Sequence, residues 1–112
     1  MISIACNIQE CYFEIIKKHF TSKDFYLEKF NPYDDIYFIE INTLNDLDKI
    51  HQINRYPETL IYIIGPNDFH LLNECLTLGI HLYFEKDDLE NSLHSKSETI
   101  HQQIFTRFKT YH

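Results

Sequence analysis

Three apolar runs dominate the pattern along the chain: Ile36-Tyr37-Phe38-Ile39-Glu40-Ile41, Leu60-Ile61-Tyr62-Ile63-Ile64-Gly65 and Ile80-His81-Leu82-Tyr83-Phe84-Glu85-Lys86. They are too uniformly apolar to alternate between a dry and a wet face, so each reads as a strand buried on both sides of a parallel sheet. Ile2-Ser3-Ile4-Ala5-Cys6 predicts a shorter first strand. A second is expected over 24–30, where Phe25 and Leu27 alternate with Tyr26 and Glu28.

Between these runs the spacing becomes helical. A helix is expected over 9–23 with Ile8, Tyr12, Ile15, Ile16, His19 and Phe20 near one face. The next covers 43–56, capped by Asn42 or Thr43, with Leu44, Leu47, Ile50 and Ile53 inward and Pro57 closing it. Pro66-Asn67-Asp68 caps a third, whose stripe is Phe69, Leu72, Cys75 and Leu76 and whose stop is Gly79. A last long helix runs over about 89–112, begun by Asp87 or Asp88 and marked by Leu93, Ile100, Ile104 and Phe108. Asn31-Pro32-Tyr33-Asp34-Asp35 is a turn cluster that leaves no room for a full helix between strands two and three. The alternation predicts a doubly wound α/β fold, helices on both faces of a five-stranded parallel sheet, in a single domain spanning 1–112.

The C-terminal ends of the strands form the ligand-facing rim of such a sheet. Here they carry Asn7, Glu40, Gly65 and Lys86. Only two glycines are present and no glycine-rich phosphate motif exists, which removes the common routes to nucleotide binding. A net charge of −7 repels nucleic-acid phosphates, so direct binding of DNA or RNA is not expected. There is no apolar stretch of membrane-span length. The N-terminus also lacks the basic region and apolar core of a signal peptide, so a cytoplasmic location is expected. Cys6, Cys11 and Cys75 form no framework and read as reduced, buried thiols. The seven histidines and three cysteines show no metal-ligand spacing, and no nucleophile elbow is present. The chain reads as a non-enzyme.

Gly79-Ile80-His81-Leu82-Tyr83-Phe84-Glu85-Lys86 resembles the fifth strand of response-regulator receiver domains, and Ile36-Tyr37-Phe38-Ile39-Glu40-Ile41 is similar to the strand that ends in their phosphoacceptor aspartate. Lys86-Asp87-Asp88, without a proline after the lysine, is similar to the accessory-gene-regulator type of receiver, which precedes a LytTR DNA-binding domain. The resemblance implies a flavodoxin-like (βα)5 fold with strand order 2-1-3-4-5 and a very short or absent helix 2. It also implies a role in signalling or transcriptional control, with the last helix as a linker to an output domain.

The departures from that pattern concern the chemistry. Glu40 stands at the acceptor position, Asn7 and Ile8 at the acidic pair that would hold Mg²⁺, and Gly65 where a Thr or Ser hydroxyl would meet the phosphoryl group. One glutamate and an amide make a poor cage for Mg²⁺, so no cofactor is expected. The resulting expectation is a phosphorylation-independent pseudo-receiver acting by protein contact. A phospho-accepting receiver is one alternative, opposed by the missing Mg²⁺ pair. A flavodoxin-like small-ligand binder is the other, opposed by the lack of a phosphate loop after strand one.

Glu40 and Lys86 are expected to form a semi-exposed ion pair at the rim, Glu40 serving as an ordinary strand-end acid or a partial mimic of a phosphorylated aspartate. Tyr83 is either a rotamer switch or half-buried packing. Phe69, Leu72, Tyr83 and His94 would line the interaction face. Ile104, Phe105, Phe108 and Tyr111 would overrun the sheet and form a homodimer seam, or meet another signalling protein.

Overall fold

The computed structural model describes residues 2–53 and 55–108. Its strands β1 (Ile2–Asn7), β2 (Phe25–Lys29), β3 (Ile36–Glu40), β4 (Leu60–Gly65) and β5 (Leu82–Glu85) form one parallel sheet in the order β2-β1-β3-β4-β5. The helices are α1 (Glu10–His19), α2 (Asp48–His51), α3 (Phe69–Thr77), α4 (Leu89–Ser95) and α5 (Ser97–Phe108). This is the flavodoxin-like architecture expected from the sequence, and no helix separates β2 from β3.

The central strands explain their uniform composition. Every residue of β3 and β4 is buried, because successive side chains enter two separate cores. Phe38, Tyr62, Ile64 and Phe84 face α1, α4 and α5, where Ile16, Phe20, Leu93 and Ile100 meet them. Tyr37, Ile39, Ile61 and Ile63 face α2 and α3, meeting Ile50, Leu71 and Cys75. The edge strands β2 and β5 are only partly covered.

Several expected elements are shorter or differently phased. The first helix ends at His19 because Phe20 leaves the helical path to enter the core. The helix expected over 43–56 reduces to a 3-10 turn, Leu44–Leu47, and four residues of α2. Its Asn and Asp residues favour local side-chain bonds, and Asp46 takes the N–H groups of Asn42 (2.6 Å) and Thr43 (3.1 Å). Leu44 is consequently exposed rather than inward. Among the thiols, Cys11 is exposed, not buried.

In α3 the inward residues are Leu71 and Cys75, whereas Phe69 and Leu76 of the expected core stripe face solvent. Asp68 sets this phase as N-cap, its Oδ1 accepting the Leu71 N–H at 3.1 Å. Gly79, at φ +77°, ends the segment as expected, and Arg55 donates to the carbonyls of Leu78 and Gly79.

The single last helix is two helices broken at Lys96, whose N–H reaches Ser92 at 2.9 Å. The break lets Leu89 and Leu93 and then Ile100, Ile104 and Phe108 all reach one core. Ile104 and Phe108 are therefore buried, at 5% and 4% exposure, and do not form an outward seam. Phe105 is exposed, and Tyr111 lies outside the described residues.

Candidate functional site

The rim at the C-terminal ends of β1, β3, β4 and β5 brings Glu40 and Lys86 together. Lys86 Nζ lies 3.0 Å from Glu40 Oε2, and the two side chains are only 14% and 5% exposed. The expected pair is thus present but more deeply buried than a semi-exposed rim position implies. Lys86 also donates to the side-chain oxygen of Asn42.

Gln9, the residue before α1, completes the arrangement. Its backbone N–H donates to Glu40 Oε1 at 2.8 Å, and its side-chain amide donates to Oε2 at 2.7 Å. Both carboxylate oxygens are therefore engaged. Burial pushes the Glu40 carboxyl upward, but the Gln9 N–H, the Lys86 ammonium and the Gln9 amide outweigh it and hold the group below its ordinary range. Lys49 completes the surroundings, donating to the Glu40 backbone carbonyl at 3.0 Å.

Mg²⁺ requires several hard oxygen ligands in a near-octahedral array. Glu40, the acid that ends β3, already has both oxygens accepting N–H donors, and Asn7 and Ile8 add no carboxylate beside it, which makes a poor donor set for the ion. Asn7 is not among the donors to the Glu40 carboxylate. With Ile8, Phe13, Lys29 and Phe30 it lines a separate groove of about 360 Å³ between the ends of β1 and β2.

Gly65 and Tyr83 form the other half of the rim. The Tyr83 hydroxyl donates to the Pro66 carbonyl at 2.6 Å, which folds the ring inward over Gly65. A Cβ at Gly65 would overlap that hydroxyl, lie 2.9 Å from Tyr83 Cζ and lie 3.1 Å from Ile41 Cγ1. The missing side chain is thus the space the tyrosine occupies. Burial, then the charges of Cys75, Asp68 and Glu85, push the phenol up to about 12.

Tyr83 also floors a cleft of about 270 Å³ between α3, β5 and α4, with Phe69 and Leu72 on one wall. His94 is not part of it. It sits on the opposite side of α4, with Ile15, Lys18 and His19 of α1. Ser92 and Lys96 face the cleft instead.

Sequence reasoning located Glu40, Gly65, Tyr83 and Lys86 but missed Gln9, Asn42 and Lys49. The sequence pattern makes Gln9 the first residue of the helix expected over 9–23. Its one legible signal was a polar side chain at the β1–α1 junction, across the rim from a strand-end acid.

Among the described residues no group of three or more His, Cys, Asp or Glu is placed to hold a metal ion, and no helix is long and apolar enough to cross a membrane. No protein-family model and no curated protein sequence matches the chain. Solved structures do share its fold. The pilus assembly protein CpaE from Caulobacter crescentus superposes with a TM-score of 0.64 at 15% identity, covering 89% of this chain and 99% of that one. A putative CpaE2 pilus assembly protein from Sinorhizobium meliloti gives 0.56 at 15% identity, covering 83% and 98%. A response regulator protein from Burkholderia multivorans gives 0.60 at 13% identity, covering 89% and 95%. At these identities the likeness concerns architecture: the chain has the fold of a response regulator.

Proposed function

We propose that this chain is a pseudo-receiver, a receiver-like signalling domain that acts by protein contact without accepting a phosphoryl group. The observation that carries this reading is the Glu40 carboxylate, with Gln9 donating twice and Lys86 once. An acceptor carboxylate must present an oxygen to an in-line phosphorus, beside a cation that neutralises the developing charge. Glu40 is instead spent on internal bonds.

The inward Tyr83 supports the same reading. With Gly65 leaving room for the ring, Tyr83 is seated inward by packing and by its bond to the Pro66 carbonyl, with no phosphoryl group involved. The fold is shared by a response regulator and by proteins named for pilus assembly, which favours a role carried by the surface of the domain rather than by one chemistry.

Intact-mass spectrometry after incubation with acetyl phosphate and Mg²⁺ tests the reading. The expected result is an unmodified chain. A stoichiometric phosphoryl adduct would overturn it.

A further inference from the structure

The chain has two arginines, Arg55 and Arg107, and the fold brings both to the turn that enters β5, at the opposite end of the sheet from Glu40. Arg55 donates to the carbonyls of Leu78 at 2.6 Å and Gly79 at 2.9 Å. Arg107, in the last turn of α5, places its Nη2 3.5 Å from His81 Nε2. Acids outnumber bases seventeen to ten in this chain, yet among the described residues neither guanidinium is ion-paired with one.

The Ile61 N–H donates to His81 Nδ1 at 3.0 Å, so Nδ1 carries no proton. Burial, then the charges of Arg107 and Arg55, hold the imidazole below its ordinary range, which leaves the ring neutral at pH 7 with its one proton on Nε2. The His81 Nε2–H and the Arg107 Nη2–H groups therefore face each other as donors. Arg107 Nε, on the same edge of the guanidinium, is buried and meets no acceptor among the described residues. One turn back along α5, Gln103 Oε1 already accepts from the Tyr62 hydroxyl at 2.8 Å. What this cluster lacks is an acceptor oxygen, and a buried charged donor without one is costly. Two nitrogens 3.5 Å apart can share one oxygen placed about 2.9 Å from each.

We propose that Arg107 and His81 bind a phosphate group, free or borne on a small ligand, between the end of α5 and the start of β5. One oxygen bridges Arg107 Nη2 and His81 Nε2–H, and a second takes Arg107 Nε as the guanidinium edge turns toward it. A charge of about −1.5 to −2 suits two guanidiniums that no carboxylate neutralises. Arg55, its donors spent on carbonyls, contributes charge alone. His81 and Arg107 are both half-exposed, so solvent reaches the site. The inference is independent of the reading of the Glu40 rim.

The test is an NMR titration of the ¹⁵N-labelled full chain at pH 7 with inorganic phosphate, glycerol phosphate and acetate, each against sodium chloride at the same ionic strength of about 0.15 M. Saturable shifts of the Arg107 Nε–H and His81 Nε2 resonances are expected with a phosphate, and whichever of the two phosphates binds tighter names its source. Acetate should bind about fivefold or more weakly. Arg107→Lys, which keeps the charge and loses the fork, should weaken phosphate about tenfold, and Arg107→Gln should abolish binding. Arg55→Gln should weaken it only about threefold. Lys17→Gln, at an exposed site on α1, should leave it unchanged. Four results would each overturn the proposal: shifts that chloride reproduces, acetate binding as tightly as phosphate, equal losses in Lys17→Gln and Arg107→Gln, or a free His81 ring protonated on Nδ1.

Discussion

Strand β3 has a buried acid at or beside each end, and the two are handled in opposite ways. At the C-terminal end, Glu40 is 4% exposed and receives three N–H donors, one from a lysine. Just before the N-terminal end, Asp34 is 5% exposed, and its Oδ2 has no hydrogen-bond donor among the described residues. Its charged neighbours are the acids Glu28 and Asp35. Burial first, then Glu28 and Asp35, push the Asp34 carboxyl up to about 7, against a smaller opposing contribution from Ser3. Burial is nearly equal at the two sites, so the supply of donors decides the charge. Glu40 is held toward its carboxylate form, whereas the Asp34 carboxyl is pushed toward its protonated form.

Glu40→Ala should produce the largest effect, because it strands the Lys86 ammonium in a largely buried position. Removing one partner of such a pair costs about 3 kcal/mol. Urea denaturation at neutral pH is the measurement. A loss below about 1 kcal/mol would mean that the rim behaves as a surface pair and that the comparison with Asp34 is misdrawn.

Asp34→Asn should act in the other direction. The folded-state pKa of Asp34 lies above its ordinary value of 3.8, so the native chain holds a proton that the unfolded chain releases. The stability linked to that proton is complete at acid pH and is lost as pH rises from about 4 to about 7. Asparagine removes the penalty, with an expected gain of about 2 kcal/mol at pH 8 and almost none near pH 4. Glu40 gives the opposite profile. Its folded-state pKa is below its ordinary value of 4.5, so its contribution is present above that pH and is lost as pH falls. Urea midpoints of wild type and both variants between pH 4 and 8 would show the two slopes. A gain from Asp34→Asn that does not change with pH would indicate altered packing instead.

What could be read from the sequence follows the same physics. The strands were legible because β3 and β4 are buried on both faces and leave no room for polar residues. Glu40 and Lys86 were legible as charges ending apolar runs. The phase of α3 was not, because Phe69, Leu71, Leu72, Cys75 and Leu76 offer two overlapping stripes, and the Asp68 cap selects between them. Nor was the break at Lys96, which decides whether Ile104 and Phe108 overrun the sheet or lie upon it. Gln9 escaped notice because its role depends on a contact with Glu40, 31 positions away. Composition carries no trace of such a contact.

The smallest expected effect concerns Gly65, and it tests whether the Tyr83 half of the rim is held by space as firmly as Glu40 is held by donors. Gly65→Ala places a methyl where the Tyr83 hydroxyl now lies, but that hydroxyl is the far end of a side chain that can swing outward. The cost should be the lost bond to the Pro66 carbonyl, about 1 kcal/mol. Swinging out returns the phenol to water, so its pKa should fall from about 12 toward the ordinary 10. A ¹³C-tyrosine NMR titration, with Tyr83→Phe to assign the resonance, reads that change directly. A loss near 3 kcal/mol with the Tyr83 pKa unmoved would instead mean that Ile41 and the β3–β4 backbone give way. The tyrosine would then be fixed by its hydrogen bond rather than by the room Gly65 leaves.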